Sequence, residues 1–328
     1  MHVLKRERNF FVLQKMDIPI TQSKEWQHLQ DDLGETSFFE KTTDYQFLAI
    51  LKKTPVGNYL YLPYGPAYKD KKSFKDSLRA LTKIAKEHQA IFIRIEPRDP
   101  DFTSYAPKNI KKTKDLNPKE TWLLDLTGNE DDLKNRLPSR LLRYYRNAAK
   151  NGLKIEASND PSYIDHLLKF QRALAGQKGI NTFSSDYLKT ELKQPFATAY
   201  LAKYQNPEND HEEVVAAGLV FDDSKVRYNL QGAQSEQGKK LHATGILTIQ
   251  LILDAKAKNL KIFDFWGIAP EGAPDSHPWA GFTNFKKTFA GYEKDYAGTY
   301  DIILSPARYK LYLISRSINR LFRRGHKK

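Results

Sequence analysis

Two stretches towards the C-terminal end of this chain carry the residue types best suited to chemistry. Phe263-Asp264-Phe265-Trp266-Gly267-Ile268 is apolar on both faces and breaks at a glycine, as a short strand sandwiched between layers would. Further on, Asn284-Phe285-Lys286-Lys287-Thr288-Phe289-Ala290-Gly291 sets the cation Lys286 beside the ring of Phe285, just ahead of a glycine. A fixed cation can stabilise negative charge that develops on oxygen during acyl transfer. A third candidate is Glu96, where an apolar run ends at Pro97, a usual place for a functional carboxylate in an open sheet. Apolar neighbours would raise its pKa towards that of a useful general base. Each candidate has a plain structural alternative. Phe285 can be core with Lys286 a surface charge, and Glu96 can pair with Arg94 or Arg98.

The composition excludes several other chemistries. The chain has 328 residues, 40% apolar and 12% aromatic, enough for two cored domains and incompatible with general disorder. It has no cysteine, which removes disulfides, thiolate nucleophiles and thiolate metal sites, and which suits a reducing cytosol. Its eight histidines are scattered without metal-ligand spacing, so no catalytic metal is expected. Neither a Gly-x-Ser-x-Gly elbow nor a Gly-rich phosphate loop with Lys is present. Residues 1–13 lack the continuous apolar core of a signal peptide, and no run reaches the roughly twenty apolar residues that span a bilayer. A cytoplasmic protein, soluble or peripheral at the inner face of the membrane, is expected. The net charge of +14 predicts anionic, phosphate-rich partners, with a merely solvated basic surface as the alternative.

Strands are expected at 45–51, 59–62, 90–95 and 122–126, and a basic amphipathic helix at 74–88. One helix is predicted over 131–151, with Arg140, Arg143, Arg146 and Lys150 on one rhythm and Gly152 as its stop. Helices at 161–175 and 184–192, strands at 197–204, 214–221 and 225–231, and a helix at 241–258 lead to the Phe263 strand. The same order recurs in weaker form in the first half. The reading is a mixed α/β (α+β) chain of two related acetyltransferase-like domains.

Tyr61-Leu62-Pro63-Tyr64-Gly65-Pro66, Ile93-Arg94-Ile95-Glu96-Pro97, the Arg-rich segment 138–150, Tyr228 to Ala233, and Ile20-Thr21-Gln22-Ser23 followed by Trp26 occur in the order and spacing of the FemABX family. With the Phe263 and Lys286 blocks, the resemblance spans nearly the whole chain. It implies an aminoacyltransferase that moves an amino acid from aminoacyl-tRNA to the stem-peptide amine of a peptidoglycan precursor, with no cofactor beyond the charged tRNA. It implies two acetyltransferase-like domains around a cleft: residues 1–127 plus 298–328 for the precursor, and 128–297 on the tRNA side.

The same resemblance gives Lys286 and Phe285 to the tRNA end, where an aromatic face stacks on a base, and Glu96 to the proton of the attacking amine. Trp26, His28, Tyr64, Gly65, Pro66, Arg94, Tyr228 and Gly267 become substrate-binding candidates. Arg140, Arg143, Arg146, Lys150 and Lys287 become tRNA or anion contacts, with a solvated helix face as the alternative. Family members that take the nucleotide-linked precursor hold its pyrophosphate with a Lys and an Arg. Here those positions fall at His28 or Gln30 and at Phe183, so no guanidinium fork is available. Larger members that take the lipid-linked precursor carry a long helical hairpin, for which this chain has no room, so the resemblance is to the compact form with an unusual first-substrate site. A lipid-linked precursor is favoured because the pyrophosphate Arg is missing at Phe183. Coenzyme A-dependent N-acyl transfer is one alternative, although Gln234 to Lys240 holds a single glycine. A non-catalytic tRNA- or membrane-binding protein is another.

The resemblance also implies that the C-terminal segment returns to the first domain. From Arg308 onward there are eight Lys or Arg residues and no acid. Leu311, Ile314, Ile318 and Leu321 share one helical face, and Arg316, Arg320, Arg323 and Lys327 another. The apolar stripe either packs on the first domain or meets an anionic membrane. The tail Arg320, Arg323, Arg324, Lys327 and Lys328 is a membrane or tRNA contact on either reading.

Overall fold

The computed structural model describes residues 16–178, 183–206 and 211–325. The chain divides into two compact units. One takes residues up to Gln27, Thr36–Thr113 and Tyr300 onward, and the other takes His28–Glu35 and Lys114–Thr299.

In the first unit the strands run Ser37–Lys41, Tyr45–Lys52, Asn58–Leu62, Ala90–Ile95, Tyr300–Ile303 and Ile110–Lys112 across the sheet. Asn58–Leu62 and Ala90–Ile95 are parallel, joined over the helix Lys71–Glu87; the other neighbours are antiparallel. That helix starts where Asp70 and Ser73 form a reciprocal capping box, and it buries Phe74, Ser77, Leu81 and Ala85 at three-to-four-residue spacing. The Ala90–Ile95 strand is buried along its whole length. Arg94 stands opposite Asp301 in register and forms a bidentate pair with it, Nε–Oδ1 2.7 Å and Nη2–Oδ2 2.8 Å. Tyr309 also donates to Asp301. The C-terminal segment therefore returns to the first sheet, held by a buried ion pair.

In the second unit the order is Tyr292–Asp295, Glu120–Asp125, Ile262–Gly267, Val226–Gln234, His211–Asp222, Ala197–Asn206, Leu153–Ser158. Again one pair is parallel, Val226–Gln234 with Ile262–Gly267, across the helices Glu236–Lys240 and Ala243–Ala257. The two sheets thus repeat one plan, an antiparallel sheet with a single parallel pair over a helical crossover.

Three local expectations are corrected. Glu120–Asp125, placed with residues 1–127 by sequence, pairs with Ile262–Gly267 and Tyr292–Asp295 in the second sheet. An apolar strand read alone carries no mark of its partner. The helix expected over 131–151 breaks into Glu130–Arg136 and Ser139–Asn147, because Pro138 drives Leu137 out of the helical region to ψ 153°. The helix expected from 241 begins at Ala243, after His242 turns the chain at φ 54°.

The C-terminal helix Pro306–Gly325 packs Tyr309 and Tyr312 against Ile91 and Phe92. Leu311, Ile314 and Ile318 point away from that core, 55%, 56% and 46% exposed. The side chains of Arg320, Leu321, Arg323 and Arg324, and residues Lys327 and Lys328, lie outside the described residues. Among the described residues, no helix is long and apolar enough to cross a membrane.

Candidate active site

The Ile262–Gly267 strand ends in a bend that its own residues brace. Trp266 adopts φ 65°, a conformation bulky side chains avoid. The buried Asp264 carboxylate holds the bend, accepting from the Trp266 amide at 2.7 Å and from the Thr121 hydroxyl. At Gly267 a β-carbon would lie 2.4 Å from Pro118, so only glycine fits. The Gly267 carbonyl accepts from Lys286 Nζ at 2.6 Å. Burial draws the Lys286 ammonium down to about 8, while the Asp264 carboxylate pulls the other way. Lys286 rides on the helix Ala280–Lys287, which is tied to the strand's exit by the Ala269 amide donating to Thr283. The turn after it is pinned where Trp122 Nε1 donates to the Phe289 carbonyl. The structure thus brings Lys286 and Gly267 together, with Asp264 beside them.

Phe285 and Lys286 face different ways. Phe285 packs edge-on against Phe289 and lines a cleft of about 980 Å³ with Gly281, Phe282 and Thr288. The parallel pairing of Val226–Gln234 with its neighbour stops at Tyr228, but the strand runs on to Gln234. Gly232, Ala233 and Gln234, from the part beyond the pairing, form another wall of this cleft. The rest includes Arg140, Tyr144, Lys169, Lys239 and His242. Arg140 donates to the Tyr144 hydroxyl at 2.9 Å and draws that phenol below its usual range. Both Arg140 and Arg143 lie over the Tyr144 ring.

In the first unit, Glu96 is buried and accepts from the Tyr61 hydroxyl and the Tyr64 amide, each at 3.2 Å. Its own amide donates to the Gly65 carbonyl. Tyr64 takes φ 51°, and the Gly65–Pro66 bond is cis. The loop is clamped by Gln22, whose side chain donates to the Pro63 carbonyl at 2.8 Å and accepts from the Leu48 amide at 2.9 Å. A β-carbon on Gly65 would lie 2.2 Å from that amide group. Tyr64, Gly65, Pro66 and Glu96 are therefore one assembly. Arg94 is committed to Asp301 instead.

The remaining candidates are dispersed. Trp26 is buried and His28 exposed, while Gln30 is buried. Phe183 is 49% exposed and stacks on Tyr187 at 5.1 Å. Tyr228 is buried, donates to Asp223 and meets Trp266 edge-on. Arg140, Arg143, Arg146 and Lys150 are exposed. Lys287 pairs with Glu293 and sits over the Trp122 ring. Sequence reasoning missed Asp264, Asp301, Tyr144 and His242. Asp264 stood inside the quoted motif and could have been flagged as its sole charge. Among the described residues, no group of three or more His, Asp or Glu is placed to hold a metal ion.

The FemAB family profile matches residues 5–127 and 188–316, more than half the chain. The crystal structure of FemX superposes with a TM-score of 0.77 at 17% identity, covering 95% of this chain and 98% of that one. The C-terminal domain assigned to a lysylphosphatidylglycerol synthetase in Agrobacterium fabrum gives 0.58 at 16% identity, covering 90% and 93%. The L-PGS of Bacillus licheniformis gives 0.56 at 15%, covering 93% and 99%. Comparison with curated proteins gives no match.

Proposed function

The chain belongs to the FemAB family, whose members are aminoacyl-tRNA-dependent transferases of peptidoglycan synthesis, and we propose that it transfers an amino acid to the stem-peptide amine of a lipid-linked precursor. The observation that carries the mechanism is the half-buried Lys286 ammonium fixed on the Gly267 carbonyl. The acceptor amine attacks the ester carbonyl of the charged tRNA, forming a C–N bond and a tetrahedral oxyanion. An ammonium has three donors; one is used on Gly267, and the others serve the oxyanion. Held in place beforehand, such a donor needs no reorganisation as charge develops. The ester C–O bond then breaks, and the amine proton leaves with the terminal ribose oxygen. Glu96 is enclosed by Tyr61 and the Tyr64 amide, so its role is to position the Tyr64–Pro66 loop. The ester is already activated, and no further cofactor is needed.

Coenzyme A is a poorer donor for this site. Gln234 ends a strand and Ser235 caps the helical turn Glu236–Lys240, where the Gly238 and Lys239 amides donate to the Ser235 hydroxyl and carbonyl, leaving them unavailable to a pyrophosphate. The lipid-linked acceptor is supported by His28, Gln30 and Phe183 standing where a nucleotide precursor's phosphates would want Lys and Arg. It is supported too by the exposed stripe Leu311, Ile314 and Ile318, flanked by Arg308 and Lys310 on a helix without acids. We assign that face to the anionic inner surface of the membrane as a peripheral contact. Parallel assays with lipid-linked and nucleotide-linked muramyl pentapeptide test this reading. A kcat/KM at least about tenfold higher for the lipid-linked acceptor, ~1.4 kcal/mol, is expected. Equal or better use of the nucleotide-linked one contradicts it.

A further inference from the structure

The ring of His242 lies flat on the ring of Tyr144, with centroids 4.5 Å apart and planes 6° from parallel. Nothing about the helix start explains this. His242 precedes the helix Ala243–Ala257 but its side chain makes no capping bond. It occupies φ 54°, where glycine or asparagine would sit at lower cost. Its ring is exposed and lines the 980 Å³ cleft, as do Tyr144 and Arg140. The guanidinium groups of Arg140 and Arg143 lie 5.5 Å and 5.7 Å from the Tyr144 centroid. Lys169 and Lys239 are also in the cleft wall, Lys239 paired there with Glu236. An aromatic stack interleaved with cations is the arrangement that binds single-stranded nucleic acid, bases on rings and phosphates on the charged groups.

The cleft is also larger than one nucleoside requires, at the upper end of the roughly 300–1,000 Å³ of small-ligand pockets. Phe282 and Phe285 line it as well and can take the terminal adenosine. We infer that the Tyr144–His242 stack is a base platform for the nucleotides immediately before the terminal adenosine of the donor, with Arg140, Lys169 and Lys239 on the intervening phosphates. This rests on the aminoacyl-tRNA reading above and names the residues that would distinguish a tRNA-borne ester from a free aminoacyl nucleoside. Stacking tolerates any base, so the platform contributes affinity for a single-stranded 3′ end without selecting the tRNA.

The test compares two donors, aminoacyl-tRNA and aminoacyl-adenosine, in the full-length enzyme. His242→Asn removes the ring yet tolerates the left-handed backbone. It is expected to raise KM for aminoacyl-tRNA by about 5- to 150-fold, the span of one base–aromatic stack. Turnover at saturation should stay unchanged, and so should KM for aminoacyl-adenosine, because the lost contact binds ground and transition states alike. Tyr144→Ala should reproduce the effect, whereas Tyr144→Phe, which keeps the ring, should not. Unchanged KM for aminoacyl-tRNA, or an equal rise for both donors, overturns the inference. A parent enzyme that uses neither donor removes the wider reading as well. One that uses both, with His242→Asn indistinguishable from it, removes the platform alone.

Discussion

On the proposed mechanism, the chemistry turns on Lys286. Lys286→Met should leave the fold intact and lower the transfer rate by about 10²–10³, the cost of losing one electrostatic stabiliser. Circular dichroism and single-turnover rates check both halves; unchanged turnover removes the residue from the mechanism. Its ammonium is held near 8, so the active cation is lost as pH rises through that value. A descending limb near pH 8 is expected in the parent, and Lys286→Arg should push it above the measurable range, since a guanidinium stays charged. The stability effect has the opposite slope. Between about 8 and 10.5 the unfolded chain binds more protons at this site than the folded one, so stability gains with rising pH across that window. The sequence disclosed Lys286 and Gly267 because both stand in a short motif. It did not disclose that Phe285 and Lys286 point to different sides of their helix, which only the packing of Phe289 and the Gly267 carbonyl decides.

At the scale of elements, the first sheet depends on a charge pair that sequence reasoning read otherwise. Arg94 looks like a ligand-binding guanidinium at a strand end, but its fork is filled by Asp301 from the C-terminal strand. Both groups are buried, so removing one strands the other. Arg94→Met should cost about 3–5 kcal/mol of stability in denaturant titration. A variant of full stability with only a raised KM for precursor would return Arg94 to the binding site. The pairing was invisible because Asp301 is distant in the chain and a lone aspartate in an apolar strand has no spacing to read. The clamp of Gln22 on the Pro63–Pro66 loop is similar: both motifs were legible, but their contact was not. Pro138 shows the reverse case, since the break at Leu137 follows from the sequence once the restriction before proline outweighs helical spacing.

For the whole molecule, the repeated α/β plan was legible because the order of elements recurs, and the return of the C-terminal strand was expected only because the family resemblance implies it. The outward face of the last helix was not, because Tyr309 and Tyr312, rather than the leucine–isoleucine stripe, supply its packing. Leu311→Asn, Ile314→Asn and Ile318→Asn together should reduce sedimentation with anionic vesicles while leaving the melting temperature unchanged. Each basic neighbour adds roughly 1 kcal/mol to such binding. Equal sedimentation would remove the membrane role, and a change in oligomeric state instead would assign the stripe to a second copy of the chain. The excess of 53 Lys and Arg over 39 Asp and Glu accounts for attraction to both anionic substrates, although charge alone would equally suit a protein that only binds them. The direct measurement is donor dependence: purified enzyme, lipid-linked muramyl pentapeptide, and either charged tRNA or acetyl-coenzyme A. Mass spectrometry of the acceptor should show one or more amino-acid additions with charged tRNA, abolished when the tRNA is first deacylated, and no acetyl product. Acetylation, or no addition from any charged tRNA, would contradict the account.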